Sequence, residues 1–152
     1  MVTVQAPGKL LLSGEWSILE EGTQCIVLAV DSTSIAKIME NKNNSIGSNR
    51  FGIRKTPFEF DGKQLSLPKA TPKQKEILRF VKSAAEVCLK YLKEKNIPIK
   101  NFELITDSKN NSVKTQNGKY QKIGFGGSAA ISVATIGAIL EMHQEKIFEN
   151  KN

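Results

Sequence analysis

Apolar positions in the first forty residues either alternate with polar ones or run together, which is how extended chain reads. "VTVQA" (2–6) and "KLLLS" (9–13) predict strands separated by Pro7-Gly8, a dipeptide that punctuates turns. "CIVLAV" (25–30) is an unbroken apolar run, the pattern of a strand buried on both faces. "SIAKIME" (34–40) alternates again, and "NKNNSIGSN" (41–49) reads as a polar loop. "FEFDGKQLSL" (58–67) predicts a hairpin, with Asp61-Gly62 suited to a type I′ turn.

The period then lengthens from two to about 3.6. Ile77, Val81, Ala84, Cys88 and Tyr91 recur at helical spacing over 72–95, and Leu78, Ala85 and Leu92 widen the stripe. Thr71 can cap this helix, Pro72 suits its first position, and Gln74 completes a Thr-x-x-Gln capping box. An amphipathic helix packed on a sheet follows; nothing in it points to catalysis. "NFELITDS" (101–108) predicts a strand, and residues 109–122 a long polar loop.

The last pattern is different. "KIGFGGSAAISVATIGAIL" (122–140) opens on three clustered glycines and continues almost wholly apolar. From Ala129 to Met142 only 14 residues remain for a helix, about 21 Å at the helical rise. That is too short to cross a bilayer. A buried core helix accounts for 129–142 but not for Gly124-Phe125-Gly126-Gly127, since clustered glycines cost conformational entropy on folding. They become useful where the backbone must bend so that several N–H groups converge at a helix N-terminus, which binds anions. The loop lacks the Gly-Lys-Ser/Thr end of a Walker A loop and the third glycine of a dinucleotide fingerprint. By spacing alone, a phosphate site and a structural glycine turn both stay open.

Composition narrows the classes. A chain of 152 residues is one domain's worth, and 39% hydrophobic with 24% charged residues is a globular balance. The net charge of +7 rests almost wholly on lysine, because Arg50, Arg54 and Arg79 are the only arginines. Such a surplus suits nucleotide phosphates, phosphorylated metabolites or nucleic acid, or reflects genome composition and solubility alone. The low aromatic content and the lack of an aromatic-studded basic stripe argue against nucleic acid. Cys25 and Cys88 lie in apolar stretches without metal-ligand spacing and read as reduced core residues of a cytoplasmic protein. The single His143 has no partner for a zinc site and reads as a surface or helix-end residue. Residues 1–15 lack the basic and apolar regions of a signal peptide.

Two segments together resemble the GHMP kinase superfamily. Gly124-Phe125-Gly126-Gly127-Ser128-Ala129-Ala130 is similar to that family's Gly-Leu-Gly-Ser-Ser-Ala-Ala motif, and Ala6-Pro7-Gly8-Lys9-Leu10-Leu11-Leu12-Ser13-Gly14-Glu15 to its first motif. The continuation through Trp16, Gly22 and "IVLAVD" (26–31), with Lys122 just before the glycine loop, looks closest to the phosphomevalonate kinase branch. Mevalonate kinases more often carry histidine where Trp16 stands.

The resemblance implies an α+β fold of the ribosomal protein S5 domain 2-like type, a mixed sheet with packed helices, as one domain over 1–152. It implies ATP-dependent phosphorylation of phosphomevalonate to mevalonate diphosphate. The alternatives are mevalonate kinase activity or an inactive nucleotide- or RNA-binding fragment. Gly124 to Ala130 would wrap the phosphates of ATP, Ser128 would help hold Mg²⁺, and Lys9 would reach the transferring phosphoryl group and the acceptor. Glu15 is a candidate acceptor-site carboxylate. Gly127 departs from the family, which usually has serine there. In relatives, the acidic residue that orients or deprotonates the acceptor hydroxyl and a third glycine-rich motif both lie beyond the glycine-rich helix. The chain is therefore expected to be the N-terminal portion of such an enzyme, with a separate C-terminal half as a possible partner and no membrane association.

Overall fold

A computed structural model describes residues 1–108, 112–118, 120–122 and 124–144, without the side chains of 112–114 and 120–122. The strands are β1 (Val2–Ser13), β2 (Ile26–Glu40), β3 (Ser45–Ser48), β4 (Ile53–Pro57), β5 (Glu59–Phe60), β6 (Leu65–Ser66), β7 (Phe102–Ser108), β8 (Ser112–Lys114) and β9 (Tyr120–Lys122). The helices are α1 (Pro72–Glu94) and α2 (Gly127–Met142). A five-stranded sheet runs β1-β2-β7-β3-β4, parallel only between β7 and β3. Ala36, Ile38, Ile46, Phe102 and Leu104 project from one face of it and are buried with Leu78, Leu89, Ala134 and Ile139 of the two helices. This is the mixed sheet with packed helices that the sequence implied.

The strand pattern is simpler than the sequence reading. β1 runs unbroken through Pro7-Gly8, where a turn is expected, and so does β2 through 31–33. β1 lies at the sheet edge, where the missing N–H of Pro7 costs no ladder bond. The strain is taken up by a bulge: Pro7 pairs with Thr33 but Gly8 with Val30, leaving Asp31 and Ser32 as the extra residues.

"CIVLAV" is not buried on both faces. Ile26, Val27 and Leu28 are 54%, 48% and 43% exposed. Here β1 and β2 continue as a two-stranded ribbon, and among the described residues no second layer covers these side chains. Cys25 is half-buried, against the expected core position, whereas Cys88 is buried in α1 and its thiol is pushed up to about 11 by that burial.

The expected polar loop 41–49 holds β3. Its Ile46 enters the core and its backbone pairs with β7, a long-range gain that the polar composition conceals. In the hairpin, Asp61 accepts from the N–H groups of Lys63 and Gln64, both at 2.7 Å, and only Gly62 has positive φ. That is not the type I′ geometry, which needs two such residues. The expected loop 109–122 contains the short β8–β9 pair.

Helix α1 follows its sequence signals. Gln74 N–H donates to the Thr71 hydroxyl and Thr71 N–H donates back to Gln74 Oε1, closing the capping box. Glu86 ties the helix to β6. It accepts from Lys82, from the Leu65 N–H and from Lys90, and these together hold its carboxyl down at about 2. The lowered value means that this contribution is complete above about pH 4.5 and is lost as pH falls toward 2. Thermal melts from pH 6 to 2.5 should therefore show the parent losing stability more steeply than Glu86→Gln. At neutral pH that variant should be less stable by about 1 kcal/mol. Parallel pH profiles would refute the assignment.

At its far end α2 is anchored by His143, which is buried at the helix C-cap rather than on the surface. Lys100 N–H donates to Nε2 at 3.1 Å, so the proton sits on Nδ1 and is donated to the Ile139 carbonyl at 2.7 Å. No helix among the described residues is long and apolar enough to cross a membrane.

Candidate functional site

The glycine-rich segment and Pro7-Gly8-Lys9 meet at the start of α2. Gly126 is the residue before the helix and takes a left-handed conformation, φ 64°. The helix begins at Gly127, two residues before the expected Ala129. Its first bonded amide is Ala130 N–H to Gly126 O at 3.0 Å. The N–H groups of Gly127, Ser128 and Ala129 are thus left without helical acceptors. No side chain caps this end and no acidic residue occupies the first turn. The positive end of the helix dipole is left for an external anion.

Lys9 is locked to this end by backbone. Its N–H donates to the Phe125 carbonyl at 3.0 Å, which closes the edge of β1 onto the glycine loop. The packing leaves no room for larger residues. A Cβ on Gly8 would stand 2.5 Å from the Phe125 carbonyl oxygen, and one on Gly126 would stand 2.8 Å from Lys9 Cγ. Ser128 is in the first turn of α2, and its carbonyl accepts from the Ser132 hydroxyl at 3.0 Å. Lys9, Phe125, Gly126, Gly127, Ser128, Ala129 and Ala130 are therefore gathered at one point, with Gly124 one residue ahead. Glu15 is not among them. It follows Gly14 at the exposed tip of the β1–β2 hairpin, six residues beyond Lys9 and about 20 Å along extended chain. The side chain of Lys122 lies outside the described residues.

Beside this point opens a cavity of about 530 Å³ between α1, the turn at 49–51 and the start of α2. Gly127 and Ser128 form one wall, and Ser48, Thr106 and Ser108 contribute hydroxyls. The lining also includes Arg50, Phe51, Lys73, Glu76, Arg79 and Phe80. Arg79 stacks on the Phe80 ring at 4.6 Å, and Arg50 on Phe51 at 5.6 Å. Sequence reasoning missed both stacked pairs. The available signal was the dipeptide Arg-Phe, which occurs at 50–51 and 79–80 and uses two of the chain's three arginines.

Such a site can hold a polyphosphate by amides and dipole, with a flat apolar group between aromatic walls. It offers no cage of its own for a cation: no group of three His, Cys, Asp or Glu side chains among the described residues could hold a metal ion.

Gly127 has helical backbone, not positive φ, so the backbone there accepts serine. Gly127→Ser is expected to tighten Mg·ATP binding several-fold, on the order of 1 kcal/mol for one added hydrogen bond. Calorimetric titration would show it, and unchanged or weaker binding would mean that no phosphate oxygen lies within reach of position 127.

Comparisons with known proteins agree on the fold. The chain is 28% identical to a mevalonate kinase of Pyrococcus furiosus over 153 aligned residues, covering 96% of this chain and 42% of that protein. A Streptococcus pneumoniae phosphomevalonate kinase, solved with phosphomevalonate and AMPPNP, superposes with a TM-score of 0.69 at 20% identity, over 97% of this chain and 38% of that one. The Methanococcus jannaschii mevalonate kinase gives 0.68 at 23%, over 96% and 41%. No protein-family model matches the chain. The chain is similar to GHMP kinases across almost its whole length, and it spans about two fifths of theirs.

Proposed function

We propose that this chain is the nucleotide-binding portion of an ATP-dependent kinase of the mevalonate pathway, with phosphomevalonate as acceptor. The observation that carries the reading is the contact of Lys9 with Phe125, which puts a lysine against the uncapped, glycine-lined N-terminus of α2. In this reading the α2 amides and Gly124 to Ala130 hold the phosphates, and the base enters the cavity between Arg79-Phe80 and Arg50-Phe51. Lys9 neutralises charge on the transferring phosphoryl group, and catalysis is largely positioning and charge compensation. The Ser128 hydroxyl is the protein's contribution to Mg²⁺. That fits a cation which takes few protein ligands and several from phosphate and water; bound there, it would neutralise phosphate charge. Trp16 favours phosphomevalonate as acceptor, since mevalonate kinases more often have histidine there. Mevalonate is the second reading, favoured by the Pyrococcus relative. A separate C-terminal half and a cytoplasmic location belong to the same proposal.

Paired titrations test the nucleotide reading. Phe80→Ala should weaken Mg·ATP by about 1 kcal/mol, several-fold, and leave Mg·tripolyphosphate unchanged. Equal losses for both ligands would mean that the cavity does not take the base, and no binding of either by the parent would overturn the site.

A further inference from the structure

The core face of the sheet changes character at one end. Its inward positions on β2 run Ile38, Ala36 and then Ser34. On β7 they run Phe102, Leu104 and then Thr106 and Ser108, and on β3 Ile46 gives way to Ser48. The alternation is kept while hydroxyls replace hydrocarbon. In register, Ser34 lies opposite Ser108 and Ser48 opposite Thr106, so the hydroxyls form a row across three neighbouring strands. Ser34, Thr106 and Ser48 are 1%, 2% and 6% exposed. A core filled for stability alone would stay apolar here, because a buried hydroxyl costs free energy unless it is bonded. Such a break in an otherwise consistent pattern marks a place kept for function.

The members of the row are not equivalent. The Thr106 hydroxyl donates to the Gly47 carbonyl at 2.9 Å and so holds β3 on β7. The Ser34 and Ser108 hydroxyls stand 3.5 Å apart. The Ser48 hydroxyl has no hydrogen-bond partner among the described residues. Nor is it sealed away: among those residues, Thr135 alone has a side-chain oxygen both sealed and unpartnered. The Ser48 hydroxyl therefore opens into the cavity, whose lining it shares with Thr106 and Ser108.

The row carries no charge, which suits an uncharged polar edge rather than a phosphate. On the nucleotide reading, from which this inference proceeds, that edge belongs to the base. Telling adenine from guanine takes groups of fixed polarity, since adenine presents an amine donor where guanine presents a carbonyl acceptor. A hydroxyl does either by turning. Among the described residues no Asn, Gln or His lines the cavity. None of its charged side chains, Arg50, Lys73, Glu76 and Arg79, is buried, and both arginines lie over their own phenylalanine rings.

We propose that the hydroxyls of Ser48 and Ser108 bind the edge of the base in either polarity, so that this chain takes adenine and guanine nucleoside triphosphates alike. Thr106 is a positioning residue: its bond to Gly47 keeps β3 where Ser48 faces the cavity.

Titration calorimetry on the 152-residue chain with Mg·ATP, Mg·GTP and Mg·tripolyphosphate tests it. Mg·GTP is expected to bind within about tenfold of Mg·ATP. Ser48→Ala should weaken both nucleotides about fivefold and leave Mg·tripolyphosphate unchanged. Since its hydroxyl has no partner in the free protein, the same variant should melt at the parental temperature. Thr106→Val gives the contrast, because it breaks the bond to Gly47 and should melt lower. A gap between the two nucleotides larger than about tenfold overturns the inference, as does parental binding of both by Ser48→Ala. Either result leaves ATP in the cavity. Failure of the parent to bind any nucleotide would instead overturn the nucleotide reading, and this inference with it.

Discussion

Gly126→Val is expected to abolish Mg·ATP binding, leaving no heat of titration above dilution. Gly126 adopts φ 64°, where a β-branched residue is strained by about 1–2 kcal/mol. The new Cβ would stand 2.8 Å from Lys9 Cγ and could not remain there. Both relaxations move the start of α2 away from Lys9, so the amides and the ammonium lose their common focus. From sequence alone this substitution would spare the fold, because a glycine in a phosphate loop need serve only the ligand. The contact with Lys9 changes that expectation. A lower melting temperature should accompany the loss of binding. Gly22→Val separates the two effects. Gly22 has φ 82° with no atom within 4 Å of its added Cβ, so it carries the strain without disturbing Lys9. It should melt lower yet bind as the parent does. Parental affinity in Gly126→Val would refute the phosphate cradle.

Residues 1–152 are expected to show no ADP release dependent on phosphomevalonate or mevalonate above background. In-line transfer needs the acceptor held against the γ-phosphate and a group to take its proton. In the proposed reading the cavity and α2 serve the nucleotide side only. Asp61 is engaged by the amides of its own turn, and Asp107 accepts from the Ser108 N–H at 2.8 Å. Asp31 occupies the bulge opposite the Pro7–Gly8 step, in the ribbon rather than in the lining of the cavity. A coupled assay at saturating ATP with each acceptor measures this. Acceptor-dependent turnover that vanishes in Lys9→Met would overturn the expectation, and its loss in Asp31→Asn would identify the proton acceptor.

What the sequence determined by itself was local or compositional. Thr71, Pro72 and Gln74 set the start of α1, and the stripe from Leu78 to Leu92 chose its buried face, because caps and helical periodicity act within four residues. The glycines at 124, 126 and 127 announced a sharp bend before an apolar helix, and the residue types at 6–15 and 124–130 carried the resemblance to GHMP kinases.

Tertiary structure decided whatever depends on a distant partner. An apolar run is buried only if a second layer reaches it, and Ile26, Val27 and Leu28 stay exposed. Ser45–Ser48 reads as loop until β7 supplies a neighbour: the Thr106 hydroxyl donates to the Gly47 carbonyl across 59 residues. Pro7-Gly8 turns an isolated chain but not an edge strand, whose outward N–H positions need no bond. The site followed the same rule. Motif positions named Lys9 and Gly126, but the bond from Lys9 N–H to Phe125 and the wall of Arg79 and Phe80 arise from packing between segments. No pattern within a few residues encodes that packing.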